Sequence, residues 1–258
     1  MESWKTAVSY SDEDQIWIRG QAMTNLMAEA SFTEVVFLLH QGRLPSAHER
    51  KVLDAILVAV CDHGSGSPSA ATSRLVASAN RQSPEATIAA GVLCIGDMHA
   101  GAGLACMEMI EAGLNMAQRE SIGIAEAAKR IVTDYIQKKR RLPGLGHRVH
   151  LEDPRTPLLF AIARESGLPS EGIEFITAVR SVARELIKPL PINIDGALAA
   201  VLHDLGFPPL FAKFVFIIGR VAGLTAQVSE EYTRERPMRI KIPVQYDGIQ
   251  PNGNNGRH

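Results

Sequence analysis

Three histidines of this chain stand in glycine-rich settings: Asp62-His63-Gly64-Ser65-Gly66, Gly96-Asp97-Met98-His99-Ala100-Gly101 and Pro143-Gly144-Leu145-Gly146-His147-Arg148. Glycine lets a ligand approach the backbone closely, so an imidazole beside it can serve a substrate as acid, base or hydrogen-bond donor. One such histidine is equally well a turn residue, but three of the eight histidines in such settings point to a shared pocket. Asp195, in Asn193-Ile194-Asp195-Gly196, follows Pro189 and Pro191 and opens an apolar stretch. It reads as a helix N-cap contributing about 0.5–2 kcal/mol, as a carboxylate base held ionised by the helix dipole, or as both. Arg155, in Asp153-Pro154-Arg155, and Arg220, in Ile218-Gly219-Arg220, complete the candidates. Arg220 interrupts a strongly apolar run, and a buried guanidinium needs a partner. A salt bridge would meet that need, and so would substrate carboxylates gripped bidentately by two arginines. There is no His-x-His, His-Glu-x-x-His or His/Cys cluster, so no metal is expected.

The elements that must position these residues read as helices. Ser31-Phe32-Thr33-Glu34 is a capping box, with Val35, Phe37, Leu38 and Leu39 following at roughly helical spacing and Gly42 as the stop. Ser83-Pro84-Glu85 opens another helix, since proline is tolerated at the first position and an acid suits the positive end of the dipole. Further helices are predicted over residues 47–61, 68–79, 121–139, 156–165, 170–188, 195–205 and 208–233. Residues 14–18 form the one predicted strand or hairpin arm, and no repeat is present. The Gly- and Asn-rich tail Asp247 to His258 is expected to fray.

The chain has 258 residues, with 27 Lys and Arg against 28 Asp and Glu, a net charge of −1, and 46% hydrophobic residues. Such a chain can bury a real core without disulfides. Balanced charge argues against nucleic acid as a partner, because phosphate contacts demand a basic surplus. Three cysteines, Cys61, Cys94 and Cys106, with no CxxC pair suit a reducing, cytoplasmic setting. The N-terminus has no basic and apolar signal pattern. No membrane partner is expected, since the apolar run Phe214 to Ile218 is bracketed by Lys213 and Arg220.

Taken in order, the motifs resemble the citrate synthase superfamily, and in length its short citryl-CoA lyase branch, also found as the lyase domain of ATP-citrate lyase. They are Ile18-Arg19-Gly20, Ser31-Phe32-Thr33-Glu34-Val35, Leu38-Leu39, Gly42, Leu44-Pro45, Asp62-His63, Gly96-x-x-His99, Pro143-Gly-x-Gly-His147-Arg148-Val149, Asp153-Pro154-Arg155, Asn193-Ile194-Asp195, Gly219-Arg220 and Gly223. Each is weak alone; the ordered set is specific. The resemblance implies an all-α fold with a large helical domain, here 1–105 with 206–258, and a small one, 106–205, with the active site in the cleft between them. It implies a homodimer, coenzyme A thioester chemistry on a di- or tricarboxylate, and citryl-CoA cleavage to acetyl-CoA and oxaloacetate.

Carried over by motif, Asp195 matches the carboxylate that moves a proton at the acetyl methyl carbon, and His99 the donor to the thioester oxygen. His147 matches the acid/base at the oxygen that is a ketone in oxaloacetate and a hydroxyl in citryl-CoA. His63, Arg155 and Arg220 match the groups that hold substrate carboxylates. Leu142, Pro143, Gly144, Leu145 and Gly146 resemble the backbone that wraps the adenine, and the basic run Lys138 to Arg141 before them reads as a solvated helix end or as phosphate contacts.

This sequence departs from the family pattern in three ways. It lacks the longer synthases' additional N-terminal helices, and its spacing from His147 to Arg155 is one residue short. A final arginine, supplied across the dimer, is replaced by Lys241 or Ile242, which removes a bidentate clamp. Two other functions stay open: a compact citrate or 2-methylcitrate synthase, and a non-catalytic subunit that binds coenzyme A.

Overall fold

A computed structural model describes residues 3–146 and 153–249. A short antiparallel meander opens the chain, β1 (Ser9–Ser11), β2 (Ile16–Ile18) and β3 (Gln21–Ala22), in that order across the sheet. The sequence signal at 14–18 captures β2 alone; β1 and β3 have three and two residues, too few to show an alternating pattern. Arg19 ties the meander to the following helices by donating twice to the Leu39 carbonyl, at 2.9 and 3.1 Å.

Eleven α-helices follow among the described residues: α1 (Met23–Glu29), α2 (Phe32–Gln41), α3 (Ala47–Val60), α4 (Pro68–Ala79), α5 (Pro84–Leu93), α6 (Ala102–Glu120), α7 (Ile124–Gln137), α8 (Arg155–Glu165), α9 (Glu171–Leu186), α10 (Ile194–Asp204) and α11 (Phe211–Arg234). The local signals explain most boundaries. Ser31 and Ser46 each form a complete capping box, with Glu34 and Glu49, and Gly42 ends α2 in the left-handed conformation at φ +76°. Pro68 and Pro84 open α4 and α5.

Two helices lie outside the sequence expectations. α1 is only seven residues long and has no side-chain cap. α6 runs for 19 residues behind a glycine cluster that reads as a loop. Its Gly103 and Gly113 are packing devices, since a Cβ on Gly113 would collide with the Phe175 ring of α9. Tertiary packing thus overrides the local cost of helical glycine.

A smaller core cluster joins Ile18, Leu26 and Leu38, and the main one runs from α2 to α11. At its centre α10 is buried on nearly every side, from Ile194 through Leu202, with Ala197, Ala199 and Ala200 letting neighbours approach closely. A helix apolar all round belongs in an interior. Its N-terminus, carrying Asp195, is therefore held by the whole body. By length and composition α11 could cross a membrane, which the expectation based on Lys213 and Arg220 does not anticipate. Here its Phe211, Val215, Gly219, Gly223 and Leu224 are buried against the protein core.

Candidate active site

A cleft of about 1000 Å³ is lined by His63, His99, Gly146, Arg155, Asp195 and Arg220, together with Ser67, Cys94, Asn193 and Phe216. Six residues singled out in the sequence, spread from position 63 to 220, thus converge on one space. His147 falls outside the described residues.

The walls differ in how they are built. Arg220, 2% exposed, lies deep on α11. Its Nε donates to the Val60 carbonyl at 2.9 Å, and Nη1 reaches the hydroxyls of Ser69 at 3.3 Å and Ser67 at 3.5 Å. Phe216, one turn earlier, lies under the guanidinium at 4.8 Å and meets the His99 ring edge-on.

Ser69 is the junction. Its Oγ is 3.0 Å from His99 Nε2, and arginine can only donate. The Ser69 oxygen therefore accepts from Arg220 and shares a second hydrogen bond with His99 Nε2. Burial pushes the His99 pKa below its ordinary value, and the charges of Arg220 and His63 push it further the same way. The loop carrying it is tight, with Gly96 and His99 exchanging backbone bonds at 2.9 and 3.2 Å. Ala100 adopts φ +69°, an uncommon conformation that costs on the order of 1 kcal/mol or more.

Arg155 is already committed to a partner. Its Nε and Nη2 hold both oxygens of Asp153 at 2.9 and 2.8 Å, and Nη1 donates to the Ala59 carbonyl at 3.2 Å. Asp153 also accepts from the Ile194 N–H at 3.1 Å, joining this pair to the start of α10. Burial works against the Asp153 charge, but the bonds from Arg155 and Ile194 win and keep its pKa below normal.

The capping role read for Asp195 belongs instead to Asn193, whose Oδ1 accepts from Gly196 N–H at 3.1 Å. Asp195 lies in the first turn, where the helix dipole favours its ionised form and burial opposes it. Burial pushes its carboxyl above the usual carboxylate range; Asp153 adds to the rise, while Arg155 and Arg220 oppose it.

The segment 142–146 lies behind this site, and only Gly146 reaches the cleft. Leu142 is buried, Leu145 bridges to Ile192, and Gly146 bonds to Pro191 and to Asn193 Nδ2 at 2.7 and 2.8 Å. Gly144, at φ +76°, presses on α10: a Cβ there would lie 2.6 Å from both Cys106 Sγ and Gly196 Cα. Lys241 and Ile242 are exposed and do not line the cleft.

Ser69, Ser67, Cys94, Asp153 and Phe216 were not identified as site residues from sequence. For Ser69 the one local cue is Pro68 marking the helix start, which does not tie it to His99 or Arg220.

Comparison with known proteins agrees with these motifs. The sequence pattern described as "Citrate synthase, C-terminal domain" matches residues 45–241. Citrate synthase of Heyndrickxia coagulans is 28% identical over 228 residues, 86% of this chain and 57% of the relative. The 2-methylcitrate synthase of Shewanella oneidensis is 29% identical over 219 residues, 83% of this chain and 54% of that protein. The chain thus spans little more than half the length of either. Citryl-CoA lyase from Hydrogenobacter thermophilus superposes with a TM-score of 0.88 at 36% identity, over 97% of this chain and 96% of that one. ATP citrate lyase from Methanothrix soehngenii, in complex with citrate and coenzyme A, superposes at 0.81 over 100% of this chain and 44% of that one, at 18% identity, a likeness of fold. With three quarters of its length matching the family pattern in an all-α architecture of this kind, the chain belongs to the citrate synthase family.

Proposed function

We propose that the protein cleaves citryl-CoA, or a related 3-hydroxy-3-carboxyacyl-CoA, to acetyl-CoA and oxaloacetate or the corresponding 2-oxo acid. The observation that carries this reading is that His99 and a half-buried Asp195 face one cleft with Arg220 and Arg155. His147 takes the proton of the tertiary hydroxyl as the carbon–carbon bond breaks. The bond's electrons pass to the thioester, leaving the acetyl-CoA enolate. A ring N–H of His99 donates to that oxygen, a contact whose loss commonly costs about 10²–10³ in rate. Asp195 delivers a proton to the terminal carbon, and the burial that raises its pKa favours the protonated form this step needs. Arg220, Arg155 and His63 hold the carboxylates, and the segment Leu142 to Gly146 receives the adenine.

Support for cleavage over synthesis comes from the nearly full-length match to a citryl-CoA lyase and from the Lys241 or Ile242 replacement of a carboxylate-holding arginine. The division into 1–105 with 206–258 and 106–205, a homodimer and a cytoplasmic setting belong to the same proposal. The deciding experiment supplies citryl-CoA and follows acetyl-CoA, oxaloacetate and free thiol separately. Acetyl-CoA and oxaloacetate without thiol are expected. Citrate with free thiol would assign a synthase-type hydrolysis instead.

A further inference from the structure

Gln227 takes no part in the proposed chemistry, yet it links the cleft to a buried ion cluster on α11. Its Oε1 accepts from Arg74 Nη1 at 2.8 Å, and its Nε2 donates to Asp62 Oδ2 at 3.2 Å. The orientation of the amide is settled by its partners, since arginine only donates and a carboxylate only accepts. On one side Arg74 is held in turn by the fully buried Glu231 at 3.0 Å. On the other side Asp62 accepts from Gly64 N–H at 3.0 Å and so folds the turn that presents His63. The turn rests directly on α11, where a Cβ on Gly223 would overlap the Cys61 carbonyl. We propose that Gln227 is a positioning residue that fixes the His63 loop, through Asp62, against the Arg74–Glu231 pair. Resting on the carboxylate-holding role proposed for His63, this makes Gln227 a determinant of affinity for the acid portion of the substrate and not for coenzyme A.

Two variants separate this role from general support of the fold. Gln227→Glu keeps an acceptor for Arg74 but sets one carboxylate against another at Asp62. Because Gly64 and Gln227 both donate to the same oxygen of Asp62, Asp62→Ala removes the group through which Gln227 acts, and Gln227→Glu is compared in the wild type and in that background. Calorimetric titration should show oxaloacetate affinity falling about tenfold in Gln227→Glu, the scale of one lost hydrogen bond with a charged group. Coenzyme A affinity and the thermal midpoint should hold, and Gln227→Glu should cost nothing further in the Asp62→Ala background. Equal oxaloacetate affinity in the wild type and Gln227→Glu, or the same tenfold loss in the Asp62→Ala background, would overturn the proposal. The His63 imidazole resonance of the unliganded protein should shift in Gln227→Glu and should not shift further when that change is added to Asp62→Ala. Should the wild type bind neither ligand, the functional reading falls, while an unmoved His63 resonance would overturn the positioning role itself.

Discussion

Two buried arginine clusters lie along α11, about 16 Å apart at the helical rise per residue. At the far end the carboxylate of Glu231, wholly buried, is paired with Arg74 at 3.0 Å and Arg239 at 2.6 Å. At the cleft Arg220 is 2% exposed, yet among the described residues no carboxylate comes within ion-pair distance of it; its partners are a carbonyl and two hydroxyls. Removing a charge from water is costly unless another charge compensates. The first cluster is complete as it stands and holds the end of the helix. The second leaves a positive charge that an anion in the cleft would compensate. Arg155 is intermediate, since Asp153 has already neutralised it. Under the proposed function Arg220 would therefore be the stronger anchor for a substrate carboxylate.

The contrast can be broken at several points. Asp195→Asn should lower turnover by about 10²–10⁴ with binding retained. Because burial raises this carboxyl's pKa, its ionised form costs the folded state stability at neutral pH. The variant's thermal midpoint should thus exceed the wild type's at neutral pH, and the gap should close as pH falls through the raised pKa into the ordinary carboxylate range. A near-full rate would remove Asp195 from the mechanism. Glu231→Ala removes the buried anion between Arg74 and Arg239 and leaves them only the more exposed Glu230 and Glu235. Urea unfolding should show about 3–5 kcal/mol lost. Arg220→Met should do the opposite: the thermal midpoint holds or rises, while oxaloacetate binding weakens about 10- to 100-fold, the scale of one charged hydrogen-bonding group. A strongly destabilised Arg220→Met would show that the two clusters are alike after all.

The smallest effect is expected at the exposed basic run. Arg140 stacks over Tyr135 at 4.7 Å and Lys138 pairs with Asp134 at 2.8 Å. Arg140→Ala with Arg141→Ala should weaken thioester binding only a few-fold, and more at low salt than at high. No change at either ionic strength would return the run to a solvated helix end.

What the sequence revealed follows from how local each signal is. The capping boxes at Ser31 and Ser46 and the proline-led starts of α4 and α5 depend on a few adjacent residues. The boundaries of α2, α4 and α5 could accordingly be read directly. α6 was hidden because its glycines look like breakers until Phe175 is seen filling the space they leave. At the site, motif order located His63, His99, Arg155, Asp195 and Arg220. It could not show Ser69 joining His99 to Arg220, because that link depends on three residues separated by up to 151 positions. Likewise, nothing near Asp195 in the chain shows that its neighbours bury it enough to raise its pKa.

The meeting of Gly144 with Gly196 limits how this protein can change. Each occupies the space the other's side chain would need, so a Cβ at either one drives the segment and the helix start apart. Neither site can therefore accept a side chain by adjusting the other, and a single substitution at either disturbs the 142–146 segment and Asp195 together. Libraries randomised at 144 or 196 should return glycine.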